Sequence, residues 1–331
     1  MAAMPASEPM RIVVRAPNWL GDVVLSLAAV RDLRRNFPRA RIEVLARPAV
    51  APLYGAVTEV DAVRESQGVR ADARAIAGAF DAGVLLTNSF GSALALRLAG
   101  IPERWGYATD GRASLLTRRA SVLPAVRGRS QVYYYRAMLA GIGLRVTAEP
   151  ETALRAPAQW LDAADRLLGP GDWVGLNPGA AFGPAKRWPL SRFAAVGDRL
   201  ARATGAQVAI LGASSERPAA EAVAAAMRHP VRVLAGETSL ADLTGLLARM
   251  RVLVTNDSGP MHVASALGTP VAAVFGPTDP SETAPVGPAR LLSEPVHCAP
   301  CGLRACPIDH RCMTRVAAER VAEAAEELLA S

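Results

Sequence analysis

Short apolar runs alternate along the chain with stretches in which apolar positions recur every three or four residues. Arg11–Arg15, Arg41–Ala46 and residues 82–87 read as buried strands. The spacing predicts a helix from about Asp22, with Val23, Leu27, Val30 and Phe37 on one face and Arg31, Arg34 and Arg35 on the other. Further helices are expected over 91–98 and over 130–140, the second carrying Tyr133, Tyr134 and Tyr135. Residues 147–157 are rich in Pro and Ala, show no period and read as a connection. The alternation then restarts, with strands expected at 173–176, 207–211, 231–234, 252–255 and 271–275. Helices are expected near 191–203, 215–227, 239–249 and 259–267, and a last one over 316–329. Strand–helix alternation of this kind builds parallel sheets. The expected fold class is therefore α/β, with two doubly wound domains facing each other and ligands beyond the carboxyl ends of the strands.

A chain of 331 residues suits two domains of about 150 residues each. It is 51% hydrophobic and 20% charged, which excludes wholesale disorder. No apolar run approaches the roughly 18 residues a membrane span needs. The apolar run at 23–30 is short and has no signal-peptide cleavage pattern after it, so a cytoplasmic protein is expected. Residues 1–9 read as a loose extension, with Met10 as an alternative start.

Charge is unevenly divided. Up to residue 156 there are 21 arginines against 13 acidic residues, a net +8; beyond it 16 basic residues face 17 acidic ones, a net −1. A basic surface attracts nucleic acid, phospholipid head groups or a phosphorylated substrate. Of the 37 basic residues 36 are Arg, and the single Lys is Lys186. An ammonium suits a phosphate oxygen in a tight site; chance survival at a surface position is the alternative.

The sequence has no G-x-G-x-x-G, no Walker A loop, no G-x-S-x-G elbow and no H-E-x-x-H, which disfavours the corresponding chemistries. It has no Asp-x-Asp either, the usual carboxylate pair for a metal–diphosphate. Four loops at expected strand ends remain. Pro17-Asn18-Trp19-Leu20-Gly21-Asp22 presents a carboxylate that can accept a proton from a hydroxyl or simply cap the following helix. Residues 177–189 end in Lys186, Arg187 and Trp188, a cradle for an anion, although Trp188 also suits packing the loop down. Thr255-Asn256-Asp257-Ser258-Gly259-Pro260-Met261-His262 opens a helix whose N-terminus suits a diphosphate. Asp257 or Ser258 as its cap is the plainer role, and His262 faces either ligand or core. Phe275-Gly276-Pro277-Thr278-Asp279-Pro280 is the fourth loop. Cys298, Cys301, Cys306 and Cys312 fall at C-x2-C-x4-C-x5-C spacing. A structural metal is one reading of them; free thiols packing a loop is the favoured one.

Taken together these loops resemble the ADP-heptose:lipopolysaccharide heptosyltransferases of glycosyltransferase family 9, and among them the group that extends an existing inner-core heptose. The resemblance runs from Met10 over nearly the whole chain. It is carried by residues 18–27, Thr87-Asn88-Ser89-Phe90, Ala99-Gly100-Ile101-Pro102, 177–189, Leu234-Ala235-Gly236-Glu237-Thr238, 254–266 and Gly276-Pro277-Thr278. It implies a GT-B fold. An acceptor-binding Rossmann-like domain would span 10–156 and an ADP-sugar-binding one 157–315, with the helix of 316–331 packing back on the first.

The implied activity is an inverting, metal-independent transfer of L-glycero-D-manno-heptose from ADP-heptose to the inner-core heptose of heptosyl-Kdo2-lipid A, with no cofactor required. The family's base falls on Asp22. Its donor contacts fall on Gly179, Ala180, Ala181, Lys186, Glu216, Asp257, Ser258, Gly259, Met261 and His262. Ala180 and Ala181 stand where other members have Thr, which leaves only backbone donors there. Asn18, Asn88, Arg112, Arg118 and Arg136 are expected acceptor contacts. The Cys-rich segment occurs in many but not all members of the group, which argues against catalysis by it. The implied partners are an ADP-sugar, a Kdo–lipid A-type acceptor and the anionic inner membrane leaflet touched peripherally, with no nucleic acid. Heptosyl transfer to a different core acceptor and non-catalytic sugar-nucleotide binding are the competing readings. A nucleic-acid-binding protein is disfavoured by the lack of a helix-turn-helix or RNP-type motif.

Overall fold

Ile12, Val13 and Val14 are fully buried β-branched residues, and they form the centre of a strand with parallel neighbours on both sides. The structure, a computed structural model, describes residues 9–330. The expected extension over 1–9 falls, but for Pro9, outside the described residues. The chain divides between Thr152 and Ala153 into two units, within the stretch read as a connection. No helix among the described residues is long and apolar enough to cross a membrane.

Unit 1 comprises β1 (Arg11–Arg15), α1 (Leu20–Asn36), β2 (Arg41–Ala46), β3 (Ala62–Glu65), α2 (Val69–Ile76), β4 (Ala82–Leu85), α3 (Phe90–Leu98), β5 (Glu103–Tyr107), β6 (Arg118–Ala120) and α4 (Gln131–Gly141). Its sheet is parallel in the order β3-β2-β1-β4-β5-β6. The order reverses between β1 and β4, and in such sheets the crevice at that switch point takes ligands. α1 departs from the expected two-faced helix, because every residue from Val23 to Leu33 is buried. Arg31, expected on the polar face, is 6% exposed and bonds Glu59 at 3.0 Å. Asp32 is 1% exposed and accepts from Arg136 Nε at 2.8 Å. Burying these charges is tolerated because each has a partner.

Unit 2 comprises α5 (Ala158–Leu168), β7 (Trp173–Asn177), α6 (Leu190–Thr204), β8 (Gln207–Ile210), α7 (Arg217–Ala226), β9 (Val231–Val233), α8 (Leu240–Arg249), β10 (Met250–Asn256), α9 (Gly259–Ala266), β11 (Val271–Val274), α10 (Pro280–Thr283), β12 (Ala289–Leu292), α11 (Arg311–Thr314) and α12 (Ala318–Ala330). The sheet order β12-β11-β10-β7-β8-β9 repeats the topology of unit 1, with the switch point between β7 and β10. The resemblance implied that the last helix returns to the first domain. α12 buries Val321, Ala322, Ala325 and Leu328 in one cluster with Val174, Leu176 and Phe193 of unit 2. Arg199 of α6 fixes it further, donating to both carboxylate oxygens of Glu326 at 2.8 and 2.7 Å.

Candidate functional site

The loops after β7 and β10 leave the sheet of unit 2 side by side, and Asn256 ties them together. Its Nδ2 donates to the carbonyls of Pro178 at 2.8 Å and Gly179 at 3.2 Å, and its Oδ1 accepts from the Trp188 N–H at 3.0 Å. Both ends of the loop from Pro178 to Trp188 therefore hang on one buried amide. Trp188 is 1% exposed, packs edge-on against Phe193 and donates Nε1–H to the Val316 carbonyl at 3.0 Å. The packing role weighed for Trp188 is the one it has.

This anchoring carries Lys186 inward. Its Nζ lies 2.6 Å from Asp257 Oδ2 and 4.8 Å from the centre of the Phe182 ring. Thr278 donates to the same Asp257 oxygen at 2.5 Å, and Thr283 reaches it at 3.4 Å. The loop after β7, the residue after β10 and the G-P-T turn after β11 thus meet at one carboxylate.

Ser258 occupies the cap position of α9, but its hydroxyl does not cap the helix. It lies 3.0 Å from Thr255 Oγ1 and accepts from Asn177 Nδ2 at 3.1 Å. The first N–H groups of α9 are left without a side-chain acceptor, which suits an incoming anion. His262, in the first turn, is 5% exposed, and its Nδ1 has no hydrogen-bond partner among the described residues. Burial pushes its pKa down to about 4, with the Asp257 charge pulling the other way and Lys186 reinforcing it. The imidazole is neutral at pH 7. Met261 is wholly buried, so its side chain belongs to the core and any ligand contact there is through its backbone. Ala180 is buried and Ala181 exposed. Glu216 accepts from the Ala213 N–H at 2.9 Å and presses so close to Gly179 that a Cβ there would lie 2.1 Å from its Oε1.

The cysteines border one cavity of about 80 Å³ together with Ala185, Pro277 and His310. They are free thiols, and among the described residues no three His, Cys, Asp or Glu side chains are arranged to hold a metal ion. Burial pushes the Cys312 thiol up, with the other three cysteines adding to it. Their segment braces the Lys186 loop: Ala185 N–H donates to Arg304 O at 3.0 Å, and His310 Nε2 lies 2.6 Å from Ala185 O.

In unit 1 the expected residues divide. Asp22 sits inside α1, in its first turn, and Trp19 holds the cap position. Its charge acts on Tyr135 of α4, whose hydroxyl is held well above its ordinary pKa mainly by burial. Asn18 accepts from Arg15 Nη2 at 3.4 Å. Asn88 donates to Tyr134 Oη at 2.7 Å and accepts from Arg112 at 3.3 Å. The three arginines expected to meet the acceptor point inward. Arg112 is wholly buried on the carbonyls of Tyr107 and Thr87. Arg118 stacks on Trp105 beside Glu103, and Arg136 is held by Asp32 and Thr147. Each of them braces the loops around it. The sequence reading did not single out Arg15, Asn256, Thr278 or Thr283 for a role. An Arg ending a buried strand and a Thr directly after a Gly-Pro step were the available signals.

A family model described as glycosyltransferase family 9 (heptosyltransferase) matches residues 69–311. The chain is 34% identical over 307 residues to lipopolysaccharide heptosyltransferase 2 of Escherichia coli K12, covering 86% of this chain and 88% of that one. It is 29% identical over 300 residues to lipooligosaccharide heptosyltransferase 2 of Haemophilus influenzae, covering 84% and 86%. Its structure is similar to that of the E. coli ADP-heptose lps heptosyltransferase II, with TM-score 0.84, 30% identity and coverage of 97% and 99%.

Proposed function

The chain belongs to glycosyltransferase family 9, the heptosyltransferases, and on that premise we propose that it moves L-glycero-D-manno-heptose from ADP-heptose to the inner-core heptose of heptosyl-Kdo2-lipid A. The observation that carries the reading is the junction of Lys186, Asp257 and Thr278 at the switch point of unit 2, beside an uncapped helix N-terminus.

Asp22 accepts the proton of the attacking acceptor hydroxyl. Attack at the anomeric carbon, from the face opposite ADP, inverts its configuration. Charge grows on the departing diphosphate, where Lys186 and the N–H groups of α9 offset it. No Asp-x-Asp is present to hold a metal there, and the ammonium and the helix end take that task without one. His262, neutral and short of one partner, is suited to bond the diphosphate or sugar rather than to supply charge. Glu216 takes the nucleoside end. The enzyme works in the cytoplasm, peripherally at the inner leaflet, where the basic unit 1 meets an anionic acceptor.

ADP release from ADP-heptose in EDTA, with and without heptosyl-Kdo2-lipid A, tests this. Acceptor-dependent release that Asp22→Asn abolishes supports the transferase. A folded wild type that binds ADP-heptose but releases nothing with acceptor makes it a binding protein. Release with Kdo2-lipid A but not with its heptosylated form moves it to a different core acceptor.

A further inference from the structure

Arg15 is 8% exposed, and among the described residues it forms no ion pair. Its Nη1 donates to the carbonyls of Ala16 at 2.7 Å and Leu45 at 3.3 Å, and its Nη2 to Asn18 Oδ1 at 3.4 Å. All three acceptors are neutral. Asp72, the carboxylate that acts on it from further off, is taken by Ser66 Oγ at 2.7 Å and the Gln67 N–H at 2.8 Å. A second cation acts on it. Arg15 pairs with Leu45 across the sheet, and Arg47 follows two residues later, exposed, just past the carboxyl end of β2. Arg47 makes the Arg15 guanidinium easier to deprotonate, as burial does more strongly. Two like charges, one of them desolvated, cost free energy that an anion at this edge would offset.

We propose that Arg15 and Arg47 form an anion subsite beyond β1 and β2, which takes one phosphate or carboxylate group of the acceptor. The proposal rests on the acceptor-binding reading of unit 1. Asn18, Trp19 and the N-terminus of α1 lie directly after Arg15, so an anion held here is next to the turn that carries Asp22. Arg suits the task because its planar fork can keep two carbonyls and still present an edge to an oxyanion.

Acceptor kinetics of Arg15→Gln and Arg47→Gln test the proposal. Each is expected to raise the KM for heptosyl-Kdo2-lipid A about tenfold, the worth of one charge-assisted contact, while the affinity for ADP-heptose stays as in wild type. The double variant loses less than the product of the two, because both arginines serve one anion. Repeating the series with an acceptor stripped of its lipid A phosphates identifies the group. If the difference between wild type and variants vanishes, the ligand is a phosphate; if it persists, a Kdo carboxylate. Arg47 is exposed, so Arg47→Gln gives an answer even where Arg15→Gln does not fold, and an unchanged acceptor KM in Arg47→Gln overturns the proposal. Should wild type release no ADP with any acceptor, the transferase reading fails separately. Titration of heptosyl-Kdo2-lipid A into wild type and Arg47→Gln then decides the subsite, equal affinities refuting it.

Discussion

Lys186 Nζ lies 2.6 Å from Asp257 Oδ2, an oxygen that Thr278 also holds at 2.5 Å. The ammonium is thus parked on a carboxylate before any diphosphate arrives, and its position is set by the loops after three different strands. Lys186→Ala is expected to lower kcat about 10²–10³-fold, the usual cost of removing a group that stabilises developing charge. It also strands a buried carboxylate, so urea denaturation should show about 3–5 kcal/mol of lost stability. Lys186→Arg should fail to restore turnover, since a fork does not fit a point-charge site. Wild-type kcat in Lys186→Ala would remove this residue from the mechanism.

Asp22→Asn should lower kcat about 10²–10⁴-fold, as for a lost general base. Because Trp19 rather than Asp22 holds the cap position of α1, stability should fall by only about 0.3–1 kcal/mol, the share of a first-turn charge in the helix dipole. Thermal unfolding beside ADP-release rates separates the two effects. A large drop in melting temperature with kcat intact would mean that the carboxylate serves the helix instead.

His262 sets a pH dependence. Its pKa is lowered by burial to about 4, so the folded state favours the neutral ring. The associated stability is complete above the unfolded pKa of about 6.5 and is lost as pH falls through about 4, amounting to about 3 kcal/mol. Urea midpoints of wild type should decline between pH 6.5 and 4 more steeply than those of His262→Gln. An NMR titration showing His262 protonated at pH 6 would sink this.

Gly179→Ala puts a methyl 2.1 Å from Glu216 Oε1. Glu216 must move, and we expect about 1–3 kcal/mol of lost stability from the overpacking, together with weaker ADP binding. Adding Glu216→Ala should recover the stability but not the affinity. Calorimetric titration with ADP of the single and double variants separates packing from recognition.

The arrangement of the fold was largely readable, because fully buried runs such as those of β1, β2 and β10 have no other use in an α/β chain. The outer strands of unit 1 were not. β3 (AVRE) and β5 (ERWGY) carry charges that only an edge or a strand end tolerates, and β6 has three residues. The loops after β7 and β10 were legible as loops from Gly, Pro and the one Lys. The direction of the expected acceptor arginines was not legible, because sequence reports charge but not direction: Arg112 and Arg136 bond carbonyls and Asp32 inside the unit.

Trp188, at the end of the Lys186 loop, donates to Val316, 128 residues further along the chain. On the ribosome, at about 5–20 residues per second, the acceptor for that indole emerges roughly ten seconds after the tryptophan does. Until then the nascent chain carries the Lys186 loop without that anchor. The loop is completed only when nearly the whole chain has been made.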